Sequence, residues 1–124
     1  MQNKILIGNS FPLSLIRQTV KIEPCSLTEL LEKLQSSSIY SFWGHFNTLP
    51  AVKHLLEYDL TPTENRPVLT LSSNCKPQYA GLEFSECWIL SPDYIEDFRP
   101  AIGEEIPPEK IKSWQCLKIT FADK

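Results

Sequence analysis

The sequence predicts a small α/β sandwich in which helices flank a mixed β-sheet. Short apolar runs typical of strands alternate along the chain with segments whose leucines recur at helical spacing. The 124 residues are 42% hydrophobic and 22% charged, which are ordinary values for a globular protein. No internal repeat or low-complexity linker divides the chain, so we expect a single domain over residues 1–124.

The first third of the chain contains two predicted strands and the clearest helix signal. Residues 4–7 form a short apolar run that ends at Gly8, and residues 19–23 are a second strand. The sequence Ser26-Leu-Thr-Glu29 is a capping box, the pattern that opens a helix. Leucines follow it at spacings i, i+3, i+4 and i+7, and the serine tract 36–38 ends the helix; these leucines are Leu27, Leu30, Leu31 and Leu34.

A second helix is predicted after the segment SFWGHF. Asn47 or Thr48 can cap it, Pro50 is tolerable within its first turn, and Thr61-Pro62 ends it. Its apolar face comprises Leu49, Val52, Leu55 and Leu56.

The rest of the chain is predicted to add strands and one more short helix. Residues 66–71 and 87–90 are strand-like, and a short helix begins at residues 107–109, where proline suits the opening turn. Residues 116–121 alternate cleanly, with Leu117, Ile119 and Phe121 on one face.

Charge and cysteine content exclude several classes of function. The net charge of −3 argues against a general binder of duplex DNA, because such proteins need a broad basic surface. Four cysteines lie far apart without a CxxC pair, which argues against a zinc site and against a disulfide framework; they are Cys25, Cys75, Cys87 and Cys116. We therefore expect neither a metal nor a cofactor.

The N-terminal segment MQNKILIGNSFPLSLI is interpreted as a first strand. Asn9, Ser10 and Pro12 interrupt its apolar character, and it lacks the small-residue cleavage site of a signal peptide. No apolar run approaches the length of a membrane span. These features favour a cytoplasmic protein without membrane contact.

His45 is the first candidate for chemistry. It lies between Gly44 and a helix start, where unpaired backbone N–H groups and the helix dipole attract anions. Gly44 leaves room for a ligand, and an imidazole beside a phosphate can transfer protons near neutral pH. The simpler alternative is a histidine that caps or packs against the helix start. For His54, in mid-helix, a solvated or half-buried side chain is the better interpretation.

Other conspicuous residues are interpreted as structural. The tryptophans are expected to anchor the core or an interface; they are Trp43, Trp88 and Trp114. The acidic residues of segment 93–97 have no partner at metal spacing and are interpreted as a solvated loop. Six prolines are expected to mark the boundaries of helices and strands; they are Pro62, Pro67, Pro92, Pro100, Pro107 and Pro108.

Four segments taken together resemble the viral anti-CRISPR ring nuclease family, which also has cellular members associated with type III CRISPR systems. They are ILIGNSF (5–11), GHFNT (44–48), ENRPVLTL (64–71) and FRPAIGEEI (98–106). The resemblance spans nearly the whole chain. It implies a small α/β homodimer that binds cyclic tetra-adenylate across the dimer interface and cleaves it without a metal.

The resemblance also assigns roles to individual positions. His45 matches the catalytic histidine, and Arg66 and Arg99 match ligand-binding arginines. Asn9, Ser10, Gly44 and Thr48 fall within the ligand-binding motifs. Where the family has a glutamate before a late glycine, this chain has Ile102; Glu104 and Glu105 lie just beyond as candidate substitutes.

Two other functions compete with a nuclease. A protein of the same fold could sense or sequester the cyclic nucleotide without cleaving it, which the presence of Ile102 favours. Alternatively, the chain could be a structural or regulatory dimer in which Trp43 and Trp114 face a partner.

Overall fold

A five-stranded mixed β-sheet forms the centre of the fold. The structure is a computed structural model that describes residues 3–44, 46–62, 68–96, 98 and 106–122. The sheet has the order β2-β8-β7-β1-β3, with β1 parallel to both of its neighbours and β8 antiparallel to β2 and β7. This arrangement confirms the predicted α/β class. The strands are β1 (Asn3–Gly8), β2 (Val20–Cys25), β3 (Ser37–Ser41), β7 (Glu86–Tyr94) and β8 (Ile111–Phe121).

Helix α1 (Leu27–Ser36) begins at the predicted capping box. The Ser26 hydroxyl accepts a hydrogen bond from the Glu29 N–H at 3.1 Å, and the Glu29 carboxylate accepts one from the Ser26 N–H at 3.2 Å. Leu30 and Leu34 are buried against the sheet and Leu27 packs against the same cluster, as the leucine spacing predicts, whereas Leu31 is exposed. The helix therefore forms where local sequence and core packing agree.

Helix α2 (Leu49–Leu56) follows a 3₁₀ turn at Phe46–Thr48, with Pro50 in its first turn. Thr48 occupies the N-cap position, but its side chain does not cap the helix, so that expectation is wrong. The Thr48 hydroxyl instead accepts a hydrogen bond from the Trp43 indole. The helix also ends earlier than predicted, because Glu57 adopts a left-handed conformation with a φ of 53°.

The two faces of the sheet are covered differently. Alternate residues of β1 point to opposite faces, so Ile5 and Ile7 pack against α1 and α2, whereas Leu6 packs on the other side. A small antiparallel sheet contributes Tyr79 to that second side. Its strands are β4 (Thr70–Leu71), β5 (Pro77–Tyr79) and β6 (Leu82–Glu83). Within the described residues, helices therefore flank one face only.

Strand β3 is the main element that the sequence reasoning missed. The serine tract was interpreted only as the end of α1, yet Ser37–Ser41 pairs in parallel with β1 from Asn3 to Ile7. Strand β4 covers less of the predicted segment 66–71 than expected: of its described residues, 68–71, only the last two form a strand, and residues 66 and 67 lie outside the described residues.

The last hairpin is longer than the sequence predicted. The expected helix at residues 107–109 is only a 3₁₀ turn (Pro108–Lys110), and β8 begins directly after it. Strand β7 continues through Pro92 to Tyr94, so Asp93 lies in a strand and not in a loop. Beyond Ile89 no described strand except β8 pairs with β7, and proline is tolerated at such an edge.

Two of the three tryptophans belong to the core, as expected. Trp43 is fully buried and Trp88 is 3% exposed, while Trp114 is half-buried at the rim of the same cluster. No helix in the described part of the chain is long and apolar enough to cross a membrane.

Candidate functional site

The candidate site lies where the parallel strands β1 and β3 end side by side. Asn9 follows β1, and the segment 42–44 follows β3. The Phe42 N–H donates to the Ile7 carbonyl at 3.0 Å, which extends the pairing by one residue. The Asn9 Oδ1 then accepts a hydrogen bond from the Gly44 N–H at 3.0 Å. This bond joins two predicted motifs that are 35 residues apart in the sequence.

The two loops then leave towards opposite faces of the sheet. After Asn9 the chain brings Phe11 against Phe121 on the face of the small sheet, with ring centroids 5.7 Å apart. After Gly44 the chain enters α2 on the helical face. Adjacent parallel strands whose continuations diverge in this way leave a crevice at their carboxyl ends, and ligands of α/β proteins commonly bind there.

A cavity of about 410 Å³ occupies this position. Ser10 is exposed at its rim, and the described lining residues carry no charged side chain. The lining therefore offers neutral hydrogen-bond donors together with aromatic and aliphatic surface. It comprises Asn9, Ser10, Phe11, Pro12, Phe42, Gly44 and Leu69.

Phe42 lines the floor of the cavity, and its ring packs against Gly8. The Phe42 side chain is 8% exposed, and its ring lies directly against Gly8. A Cβ atom at Gly8 would lie 2.5 Å from the Phe42 Cζ, so only glycine admits the ring at this place. At Gly44, by contrast, a Cβ would meet only the Asn9 Oδ1, at 3.9 Å.

Thr48 is a buried residue that holds the loop between Trp43 and α2 in place. It is 3% exposed, and its hydroxyl accepts a hydrogen bond from the Trp43 Nε1 at 2.8 Å. Trp43 and Thr48 bracket the segment that contains His45, so this buried bond fixes both ends of the loop. The contact observed for Thr48 is thus structural, and a ligand contact by Thr48 stays a prediction.

The structure brings together three of the predicted ligand-binding residues, Asn9, Ser10 and Gly44. Apart from Thr48, the other predicted site residues lie outside the described residues; they are His45, Arg66, Arg99, Glu104 and Glu105, together with Ile102.

Two described residues follow the undescribed segments 63–67 and 99–105, and one of them lies at this site. Leu69, three residues after Arg66, lines the cavity. The N–H of Ile106, which follows the segment 99–105, donates to the Asn47 carbonyl at 3.0 Å, two residues after His45. Leu69 lines the cavity, whereas Ile106 contacts the turn that precedes α2.

Sequence reasoning missed the apolar part of the lining. Phe42 and Leu69 have apolar side chains that belong to no catalytic or ligand-binding motif. They line the cavity because of the topology of the sheets. Phe11 and Pro12 follow Asn9-Ser10 directly, so their position next to a predicted ligand turn was the signal that could have identified them.

A larger cavity, of about 620 Å³, lies elsewhere, between α2 and the first residues of β8. His54 contributes to its lining and is exposed, in agreement with its interpretation as a solvated helix residue. None of the residues predicted to bind a ligand lines this cavity within the described part of the chain. No group of three or more metal-ligating side chains occurs among the described residues.

Comparison with solved structures finds a likeness of fold. Neither a comparison with protein-family models nor one with curated protein sequences finds a match. Among solved structures, B116 of Sulfolobus turreted icosahedral virus matches with a TM-score of 0.59 over 95% of this chain and 99% of its own. The two proteins share a fold. At 16% sequence identity, the likeness to B116 extends to the fold alone.

Proposed function

We propose that this protein is a metal-independent ring nuclease that cleaves cyclic tetra-adenylate and thereby switches off type III CRISPR signalling. The linear products would carry 2′,3′-cyclic phosphate ends. The proposal is supported by the motif set in the sequence, by the crevice at the ends of β1 and β3, and by a fold shared with a viral protein. It places the protein in the cytoplasm of a prokaryotic cell, which would be the host cell if the gene is viral.

The observation that carries the proposal is the hydrogen bond between the Asn9 side chain and the Gly44 N–H. Asn9 belongs to the first motif of the resemblance and Gly44 to the second. The parallel pairing of β1 and β3 brings both motifs to one edge of the sheet, and the bond between Asn9 and Gly44 joins them there. Their contact at the ligand-binding edge of an α/β sheet makes a common function the better explanation.

The chemistry needs no water nucleophile. A ribose 2′-hydroxyl attacks its own adjacent phosphorus, the bond to the 5′-oxygen breaks, and a 2′,3′-cyclic phosphate forms. Much of the acceleration would come from holding the ribose so that attack is in line with the leaving oxygen. His45 is the natural general acid for that oxygen, and Gly44 allows the phosphate to approach closely.

The remaining residues would bind the ring. Arg66 and Arg99 suit phosphate oxygens because a guanidinium offers forked donors. Asn9 and Ser10 offer neutral hydrogen bonds to ribose or phosphate. Glu104 or Glu105 would supply the carboxylate that Ile102 does not.

We further propose that the active form is a homodimer with the ligand across its two-fold axis. One short chain offers few anion donors, and a symmetric ring is matched when a second copy doubles them. The described residues that line the cavity are uncharged. The positive charge that balances the four phosphates of the ring would therefore come from Arg66 and Arg99 of both copies.

A second candidate function is favoured by one residue. Ile102 replaces an acidic residue of the family motif, which suggests a protein that binds the ring and senses or sequesters it without cleavage. In this case affinity would persist while turnover is absent, and Ile102→Glu would be the substitution to test for gain of activity.

Two substitutions test the proposed roles. His45→Ala removes the proton donor and leaves the phosphate contacts in place, so turnover should fall by about a hundredfold or more while the ring still binds. Arg66→Ala should instead weaken binding, because a phosphate loses a charge-assisted hydrogen bond. Turnover is measured by chromatography of the products, and affinity by titration calorimetry.

Circular dichroism of both variants is the control for folding, since His45 lies directly before the turn that leads into α2. Cleavage by His45→Ala at the wild-type rate would show that this histidine has a structural role only. Equal loss of binding in both variants would contradict the proposed division of roles.

A further inference from the structure

Cys25 and Cys116 occupy directly facing positions in the sheet. Strands β2 and β8 are antiparallel, and Cys25 is the register partner of Cys116 at the end of their pairing. Facing residues of an antiparallel pair have Cα atoms about 4.5–5.5 Å apart. That separation lies inside the range of about 4.4–6.8 Å that a disulfide requires. The sequence alone gave no reason to pair these cysteines, which lie about 90 residues apart.

The two thiols also point to the same side of the sheet. Both side chains belong to the cluster on the helical face, where Cys116 is 5% exposed and Cys25 is half-buried. The Cys25 thiol donates a long hydrogen bond, 3.7 Å, to the Glu23 carbonyl and also has a hydrogen-bond contact with the Glu29 carboxylate. A rotation of the Cys25 side chain towards Cys116 exchanges these two contacts for the new S–S bond.

Neither of the other cysteines is placed in this way. Cys87 faces Ile119 across the sheet and belongs to the cluster on the opposite face. Cys75 lies in the turn between β4 and β5. All four cysteines are described and are present as thiols in the structure.

We propose that Cys25 and Cys116 form a reversible cross-strand disulfide when the protein meets an oxidant. The bond would lock β2, an edge strand that pairs with β8, to the interior of the sheet. Because α1 begins two residues after Cys25, the same bond would also fix the start of that helix. This proposal is independent of the proposed nuclease activity.

The reaction is a thiol–disulfide exchange with a small disulfide such as oxidised glutathione. The Cys25 thiolate attacks one glutathione sulfur and releases the other glutathione as a thiolate. The Cys116 thiolate then attacks the Cys25 Sγ, forms the new S–S bond and releases the second glutathione. The protein loses two electrons and two protons, and the glutathione disulfide becomes two thiols.

The reduced pair is expected to react slowly at neutral pH. Burial raises the pKa of Cys116 to about 12, and burial together with the Glu29 carboxylate raises the pKa of Cys25. Since the thiolate is the nucleophile, little reactive form is present at pH 7. Cys25 is the more exposed of the two and is therefore the first to attack the oxidant.

The test uses the full chain incubated with oxidised glutathione at pH 8.5, followed by alkylation and non-reducing peptide mapping. We expect a peptide cross-linked through Cys25 and Cys116. We also expect a rise in Tm of at least about 5 °C that a reductant reverses, because the bond closes a long loop. The variant Cys75→Ser should keep both signals, whereas Cys25→Ser should lose both.

The mapping in the wild-type protein decides the question even if a variant folds poorly. Oxidised protein that carries only glutathione adducts or intermolecular disulfides, without the Cys25–Cys116 peptide, would overturn the proposal. A cross-link without a rise in Tm would overturn the claim that it locks the edge strand.

Discussion

At the scale of single residues, the shape of the crevice depends on packing contacts as well as on the polar residues that could bind a ligand. Asn9 holds the Gly44 N–H, and Gly8 gives the Phe42 ring a place to lie. The sequence identified Asn9 and Gly44 because polar and glycine residues after strands are informative. Gly8 and Phe42 could not be selected from the sequence, because Gly8 ends β1 and Phe42 follows β3. The two residues come into contact only when these strands pair in the folded protein.

Gly8→Ala should destabilise the protein by about 1–3 kcal/mol, because the new methyl group would displace the Phe42 ring from a packed cluster. The free energy of unfolding is measured by urea denaturation. Gly44→Ala is the matched control: it should cost much less, because the added Cβ meets no atom closer than 3.9 Å.

The double variant Gly8→Ala/Phe42→Leu should recover part of the loss if the clash with the ring is its cause. Wild-type stability in Gly8→Ala would show that Phe42 does not form the floor as described.

At the scale of elements, the sequence predicted what local rules determine. The capping box placed the start of α1, and strict alternation placed Ile119 and Phe121 of β8 on one buried face. Strand β3 could not be predicted from the sequence, because its residues, SSIYS, are typical of the end of a helix and have no alternating apolar pattern. Its pairing with β1 is a long-range contact, and local propensity does not encode it.

Ser26→Ala should destabilise the protein by about 1 kcal/mol, the usual effect of losing a helix N-cap. The Ser26 backbone N–H and hydroxyl lower the pKa of Glu29, so the contribution of this carboxylate is present above its ordinary pKa and is lost on acidification. The difference between the variant and the wild type should therefore shrink from pH 7 to pH 3. Unfolding in urea at both pH values measures it.

Ser36→Ala, at the last residue of α1, is the control and should change stability by less than about 0.5 kcal/mol. An equal loss in both variants would argue against a specific role for the capping box.

At the scale of the whole molecule, the topology explains why the site lies where it does. Parallel β1 and β3 end together, and their continuations separate towards the two faces of the sheet. The fold class could be predicted from the alternation of elements, but the crevice could not, because it requires the strand order. Leu69 joins the lining only because the small sheet covers the second face.

The proposed homodimer makes a prediction at the same scale. Light scattering coupled to size exclusion should give twice the mass of the 124-residue chain at micromolar concentration. Titration of the His45→Ala variant with cyclic tetra-adenylate should saturate at one ring per two chains. A monomer whose mass does not change when the ring is added would contradict the shared site.

The most direct test of the proposed function is incubation of the purified protein with cyclic tetra-adenylate in the presence of EDTA, followed by chromatography and mass spectrometry of the products. The sequence places no His, Cys or acidic set at a convincing metal spacing, so cleavage should persist in the chelator. The expected products are linear and carry 2′,3′-cyclic phosphate ends. An intact ring in EDTA, with cleavage restored by Mg²⁺ or Mn²⁺, would contradict this expectation.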